Sequence, residues 1–227
     1  TFAFAWQIYF DFSGYTDMAR GIARVMGFDL MLNFNHPYLA TSLKDFWSRW
    51  HISLSTWFRD YLYIPLGGSQ NGRWRTYRNL FLTMLISGVW HGAAWTFVVW
   101  GALHGLAYVA FRPLEDMIWW QRTPILVKRI LVFGFVCLTW VFFRAATVNE
   151  AMLILQKMMT GVWTDPRMPV LAIVWILTVW AYQWMYQWET SPTRRVGWIR
   201  IATYTAMMIY LSIASGQADQ PFIYFQF

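Results

Sequence analysis

The sequence predicts an all-α, multi-pass integral membrane bundle, on three observations. Of the 227 residues, 58% are hydrophobic and only 13% charged, where soluble domains carry about a quarter charged residues. The stretch Leu80–Phe111 holds no Asp, Glu, Lys or Arg, and it exceeds the ~20 residues that cross a bilayer's hydrocarbon. The 17 Trp and 12 Tyr suit a chain with many residues at lipid–water boundaries. No linker is long enough to separate two domains, so residues 1–227 are expected to form a single membrane domain.

The formal net charge is +7. Its Arg and Lys residues fall in short segments between apolar runs, as in cytoplasmic loops, and this placement argues against nucleic acid as a partner. The single cysteine, Cys137, lies in an apolar run and cannot form an intrachain disulfide. It is expected to be a structural thiol. The sequence opens on Thr1 in an apolar run, without a signal-peptide pattern. It is therefore expected to be the C-terminal part of a longer chain whose N-terminal helices are missing.

From the N-terminus, residues 1–12 are apolar and aromatic, interrupted by Asp11; Asp17 and Arg20 stand three apart and can pair on a helix face. Pro37 disfavours helix at His36 and marks a break. Residues 42–63 read as one amphipathic surface helix, opened by Ser42 and Asp45 as a capping-box variant. On such a helix Trp47, Trp50, Leu54, Trp57, Phe58 and Tyr61 share an arc of about 100°, with Asp45, Arg49, Arg59 and Asp60 opposite and His51 at the edge. Pro65 and the Gly67–Gly72 turn end it, and Arg73, Arg75 and Arg78 anchor a cytoplasmic loop.

Residues 80–111, with Gly88, Gly92, Gly101 and Gly105, read as a broken helix or a tight pair of helices. Whether this stretch crosses once or returns decides the side on which Arg194, Arg195 and Arg200 lie. Three more apolar runs follow, at 130–143 (extending back through Ile125), 170–188 and 198–214. The aromatic tail from Pro221 is expected to pack at an interface.

Titratable groups are expensive in lipid and mark functional sites. His91, in Trp90-His91-Gly92, has an aromatic wall and a neighbour that permits close approach of a ligand. From the residues alone it is either a general base or a histidine that bridges two helices. His51, in Arg49-Trp50-His51-Ile52-Ser53, is either a site residue or a boundary histidine. His104 would point roughly 140° from His91 on one straight helix, so the helix breaks between them or the two do different work. Histidine spacing and the lack of Cys or acidic clusters argue against a metal site. Ser13, Ser53 and Ser87 lack a nucleophile-elbow context. The Arg73–Arg78 cluster reads as a topology-setting loop or a phosphate contact.

Three segments resemble the membrane-bound O-acyltransferase family, in its bacterial branch of alginate O-acetylation membrane proteins. They are Tyr9-Phe10-Asp11-Phe12-Ser13-Gly14-Tyr15-Thr16-Asp17-Met18-Ala19, the run from Phe46 to Tyr61, and the run from Trp90 to Gly101. The resemblance implies a helical bundle around a tunnel in the bacterial inner membrane. One histidine lies deep in that tunnel, matched here by His91, and a second polar residue lies nearer the cytosol, matched by His51. It further implies an acetyltransferase with no bound cofactor. The donor would be a cytosolic thioester such as acetyl-CoA, and a periplasmic partner acetyltransferase would place the group on an alginate-like exopolysaccharide. In that frame His91 acts as general base or proton relay and His51 orients or polarises the thioester. Trp50, Trp90, Arg49, Arg59 and Asp60 are the candidate substrate contacts. A non-enzymatic transporter and a scaffold for a periplasmic enzyme are the alternatives.

Overall fold

The computed structural model describes residues 1–161 and scattered helical positions between 173 and 206. Two compact units emerge, Thr1–Ala172 and Ile173–Phe227. The expected runs at 170–188 and 198–214, the Arg194–Arg200 cluster and the aromatic tail fall largely or wholly outside the described residues. Among the described residues all regular structure is helical.

Helix α1 spans Phe2–Val25. Its first half is buried through Ala5, Trp6, Ile8 and Tyr9, whereas Met18, Ile22 and Val25 are exposed. Asp17 and Arg20 pair at 3.4 Å, as their spacing predicts. A short 3-10 helix, Pro37–Leu39, follows an extended stretch. It is pinned by Tyr38, whose hydroxyl donates to the Ala5 carbonyl and whose ring packs on Trp6 and Phe133.

The single helix expected over 42–63 does not form. The structure has α2 at Leu43–Trp47 and α3 at Ile52–Phe58, followed by a π-helical turn at Arg59–Tyr63. Ser42 does cap α2, accepting from the Asp45 N–H at 3.1 Å, but the Asp45 carboxylate reaches back to the Thr41 N–H at 3.0 Å. The break at Ser48–His51 removes the common arc. Trp50 and Phe58 are buried, whereas Trp57 and Tyr61 are exposed. Tertiary packing wins over periodicity here: Trp50 is drawn into an aromatic core with Phe34, Phe46 and Trp140, a position that one straight helix would deny it.

Of the two readings of 80–111, a broken helix or a tight pair, the structure has the pair. Helix α4 runs Gly72–His91 and α5 runs Trp95–Glu115. The chain doubles back, because Gly88 lies against Gly101 and Phe81 against Gly105. The backbones nearly touch: a Cβ on Gly101 would stand 2.6 Å from the Met84 carbonyl oxygen. In an apolar medium, where burial of apolar surface drives little, such small-residue contacts hold helices together through dispersion.

Helix α6, Ile118–Arg122, leads into α7, Ile125–Arg144, whose start at Ile125 agrees with the backward extension of the apolar run. Helix α7 is the shared wall. It meets α1 through Phe2 and Phe133 at 5.7 Å, α5 through Trp100 and Trp140, and the 3-10 helix through Arg129, which donates to the Leu39 carbonyl. Cys137 is a half-buried free thiol on it. Helix α8, Val148–Thr160, was not anticipated, although Thr147 caps it by accepting from the Glu150 N–H. Two of the described helices are long and apolar enough to cross a membrane: α5, with mean hydropathy 1.3, and α7, with 2.1.

Candidate active site

His91 closes α4, and the turn at Gly92–Ala94 delivers its ring into an aromatic wall. The ring centroid lies 5.1 Å from Trp90, 5.3 Å from Trp100 and 5.1 Å from Phe143. Edge-on contacts of this kind hold a ring by dispersion and quadrupole effects without occupying its nitrogens. Among the described residues none hydrogen-bonds the His91 ring.

His51 is delivered differently. It is the N-cap residue of α3 and adopts the left-handed conformation, φ 44° and ψ 55°. That region costs an L-residue of this kind roughly 1–2 kcal/mol, so surrounding bonds must impose it. They come from residues 33–35. The Asn33 carbonyl accepts from the Ile52 N–H, and the Arg49 carbonyl accepts from the Asn35 N–H, both at 2.9 Å. The Asn33 side-chain oxygen lies 3.2 Å from His51 Nδ1 and accepts from the Ser53 N–H and hydroxyl. Phe12 of α1 packs edge-on against the His51 ring at 4.7 Å.

The two histidines stand forty positions apart in sequence, yet the fold brings them near enough for the charge of one to act on the other. Burial pushes the His51 imidazole down to about 4, and the nearby His91 pushes it the same way. Both causes keep His51 neutral, as a proton acceptor requires. A chain of ring contacts also joins the two segments. Trp50 meets Trp140 at 5.1 Å, Trp140 meets Phe143 at 5.1 Å, and Phe143 meets His91.

Of the other candidate contacts, Trp90 is exposed beside His91 and touches Phe58 edge-on, while Trp50 is buried beneath His51's segment. Arg49 binds Asp45 and reaches the Asn35 carbonyl, so it braces the break between α2 and α3. Arg59 and Asp60 pair with each other at 2.7 Å on the exposed π-helical turn. The Arg59 guanidinium holds the Asp60 carboxyl below its usual range.

His104 is buried and bridges helices. Its Nε2 lies 2.9 Å from the Thr139 hydroxyl, which itself donates to the Val136 carbonyl. The helix-bridging role open to His91 from sequence is thus filled by His104, and the turn at 92–94 gives the two their different surroundings. Sequence reasoning missed Asn33 and gave Ser53 no part beside His51. The Asn33-Phe34-Asn35-His36-Pro37 break was visible, but nothing in it pointed to a partner eighteen residues away.

Helix α4 thus packs on α5 through glycine and carries a histidine against an aromatic wall, in a chain with two helices long and apolar enough to cross a membrane. Residues 1–148 match the membrane-bound O-acyltransferase family, and the chain belongs to it. It is 40% identical to the protein named "Probable alginate O-acetylase AlgI" of Pseudomonas putida, over 99% of this chain and 52% of the relative. Its counterpart in Pseudomonas aeruginosa is 48% identical over 71% of this chain and 31% of the relative. The "Peptidoglycan O-acetyltransferase" of Helicobacter pylori is 46% identical over 69% of this chain and 30% of the relative. The chain thus spans about half the length, or less, of these curated relatives.

Proposed function

We propose that this chain carries the histidine pair of a multi-pass inner-membrane O-acyltransferase. It moves an acetyl group from a cytosolic thioester, acetyl-CoA, toward a periplasmic partner that acetylates a polysaccharide. The observation that carries this reading is the proximity of His51 and His91, two histidines from separate segments. Two relatives are named for carbohydrate polymers, alginate and peptidoglycan, which supports a sugar hydroxyl as the final acceptor. His91, with unengaged nitrogens, takes the proton of the attacking hydroxyl or relays it. Low dielectric around both rings strengthens each polar contact made there. Trp90, exposed beside His91, is the wall residue open to an incoming acyl group. Arg59 and Asp60 lie on the turn that a charged donor would meet, whereas Arg49 and Trp50 serve the site by holding its frame.

The test is acetyl-CoA consumption by the full-length protein in membranes. His91→Ala should lower it by at least about a hundredfold, the lower part of what a positioned acid–base group supplies, with membrane insertion intact. Undiminished turnover in that variant would remove His91 from the chemistry.

A further inference from the structure

We infer that Asn33 is a positioning residue that locks His51 in its Nδ1–H tautomer, so that His51 meets its substrate through a bare Nε2. His51 then accepts a hydrogen bond from a hydroxyl or thiol; in its neutral form it has no proton at Nε2 to offer a thioester carbonyl. This deepens the proposed function and rests on its placing of His51 at the transfer site.

The tautomer follows from donor and acceptor logic. A backbone N–H only donates. The Asn33 side-chain atom 3.2 Å from the Ser53 N–H must therefore be the amide oxygen, which fixes the orientation of the amide. The same oxygen faces His51 Nδ1 at 3.2 Å. An amide oxygen has lone pairs and no hydrogen, so this contact is attractive only with the proton on Nδ1, and the Ser53 hydroxyl, 3.4 Å from Nδ1, already gives its proton to the same amide oxygen. A neutral imidazole has one N–H, and Nε2 is left with its lone pair. The Ser53 hydroxyl, 3.0 Å from the same oxygen, donates to it as well.

Asn33 is built for this task. It is buried, with 7% exposure. Its backbone carbonyl takes the Ile52 N–H while its side chain takes Ser53 and His51, so it grips the left-handed residue and the two residues that follow it. Phe12 fixes the plane of the ring. No described residue hydrogen-bonds Nε2. The groups facing His51 are Phe12 from α1, Asn33 from the extended stretch, Ser53 from its own segment and His91 from the end of α4, and His91 is the titratable one among them.

Two measurements on the full-length protein in membranes test this. Solid-state NMR of 15N-histidine-labelled protein, with His51→Gln to assign the signals, should show Nδ1 protonated and Nε2 bare near neutral pH. A protonated Nε2 would overturn the inference whatever the enzyme does. The second measurement is the pH profile of thiol release from acetyl-CoA. Asn33→Ala should lower the rate by about a hundredfold. Asn33→Asp should keep measurable turnover, because its carboxylate still accepts the Nδ1 proton. It should also move the acidic limb to higher pH by about one to three units, since a nearby negative charge favours imidazolium. A residue that merely supports the fold would leave that limb in place. An unshifted limb in Asn33→Asp, or a wild-type rate in Asn33→Ala, would overturn the positioning role. A wild-type rate in His51→Ala would instead overturn the proposed function at this residue, while the NMR signals still decide the tautomer.

Discussion

His91 and His51 are held in place by opposite means. His91 rides at the end of a regular helix whose pairing with α5 is set by backbone contact at Gly88 and Gly101. It needs no hydrogen bond to hold its ring, because Trp90, Trp100 and Phe143 surround it. His51 sits on irregular backbone in a disfavoured conformation, held by polar bonds from residues 33–35. Packing fixes where a side chain is but leaves its nitrogens free. Hydrogen bonds fix the position and also consume one nitrogen, and so determine which protonation state faces the substrate. A site that needs one adaptable group and one group of fixed polarity has a physical reason to use both.

The comparison can be broken most severely at the chemistry. Combining His51→Ala with His91→Ala should slow acetyl transfer no more than the worse single change, because groups that act as a unit are not additive. Losses that multiply, in turnover measured on full-length protein, would make the histidines independent. Next in size is Gly101→Val. Added carbons cannot fit against the Met84 carbonyl, and overpacking of this kind costs about 1–3 kcal/mol or more. Thermal unfolding in detergent should register the loss, and the 15N signals of His91 should move while those of His51 stay. Movement of both would mean that the two regions are one mechanical unit.

A smaller effect is expected at Asn79, whose amide donates to the Leu66 and Gly68 carbonyls at 3.0 and 3.1 Å and ties the turn after the π-helical segment to α4. Asn79→Leu should cost about 1–3 kcal/mol, the penalty for stranding buried polar partners. The smallest effect belongs to Arg59→Ala. Its ion pair with Asp60 is exposed, so thermal stability should be unchanged. A rise in the KM for acetyl-CoA with unchanged kcat would assign the turn to donor binding, and an unchanged KM would exclude it.

Much of this architecture was legible in the residues. That 80–111 is not one continuous helix, the start of α7 at Ile125 and the Ser42 cap all follow from spacing and turn chemistry, because each depends on near neighbours. His91 was marked by its motif. The arc of 42–63 misled because periodicity assumes a continuous helix, and the pull of Phe34, Phe46 and Trp140 on Trp50 is invisible to it. Helix α8 carried its signal in Thr147 and Glu150, a capping pair without a long apolar run behind it.

By itself the sequence determined the helical class, the membrane composition, the family and the two histidines, because these rest on composition and contiguous motifs. Only the tertiary structure decided that His104 bridges α5 and α7 while His91 takes no hydrogen bond from the described residues. It alone brought Asn33 to His51 across eighteen positions. Hydrogen-bond polarity depends on which atoms face one another, and one-dimensional spacing carries no record of that.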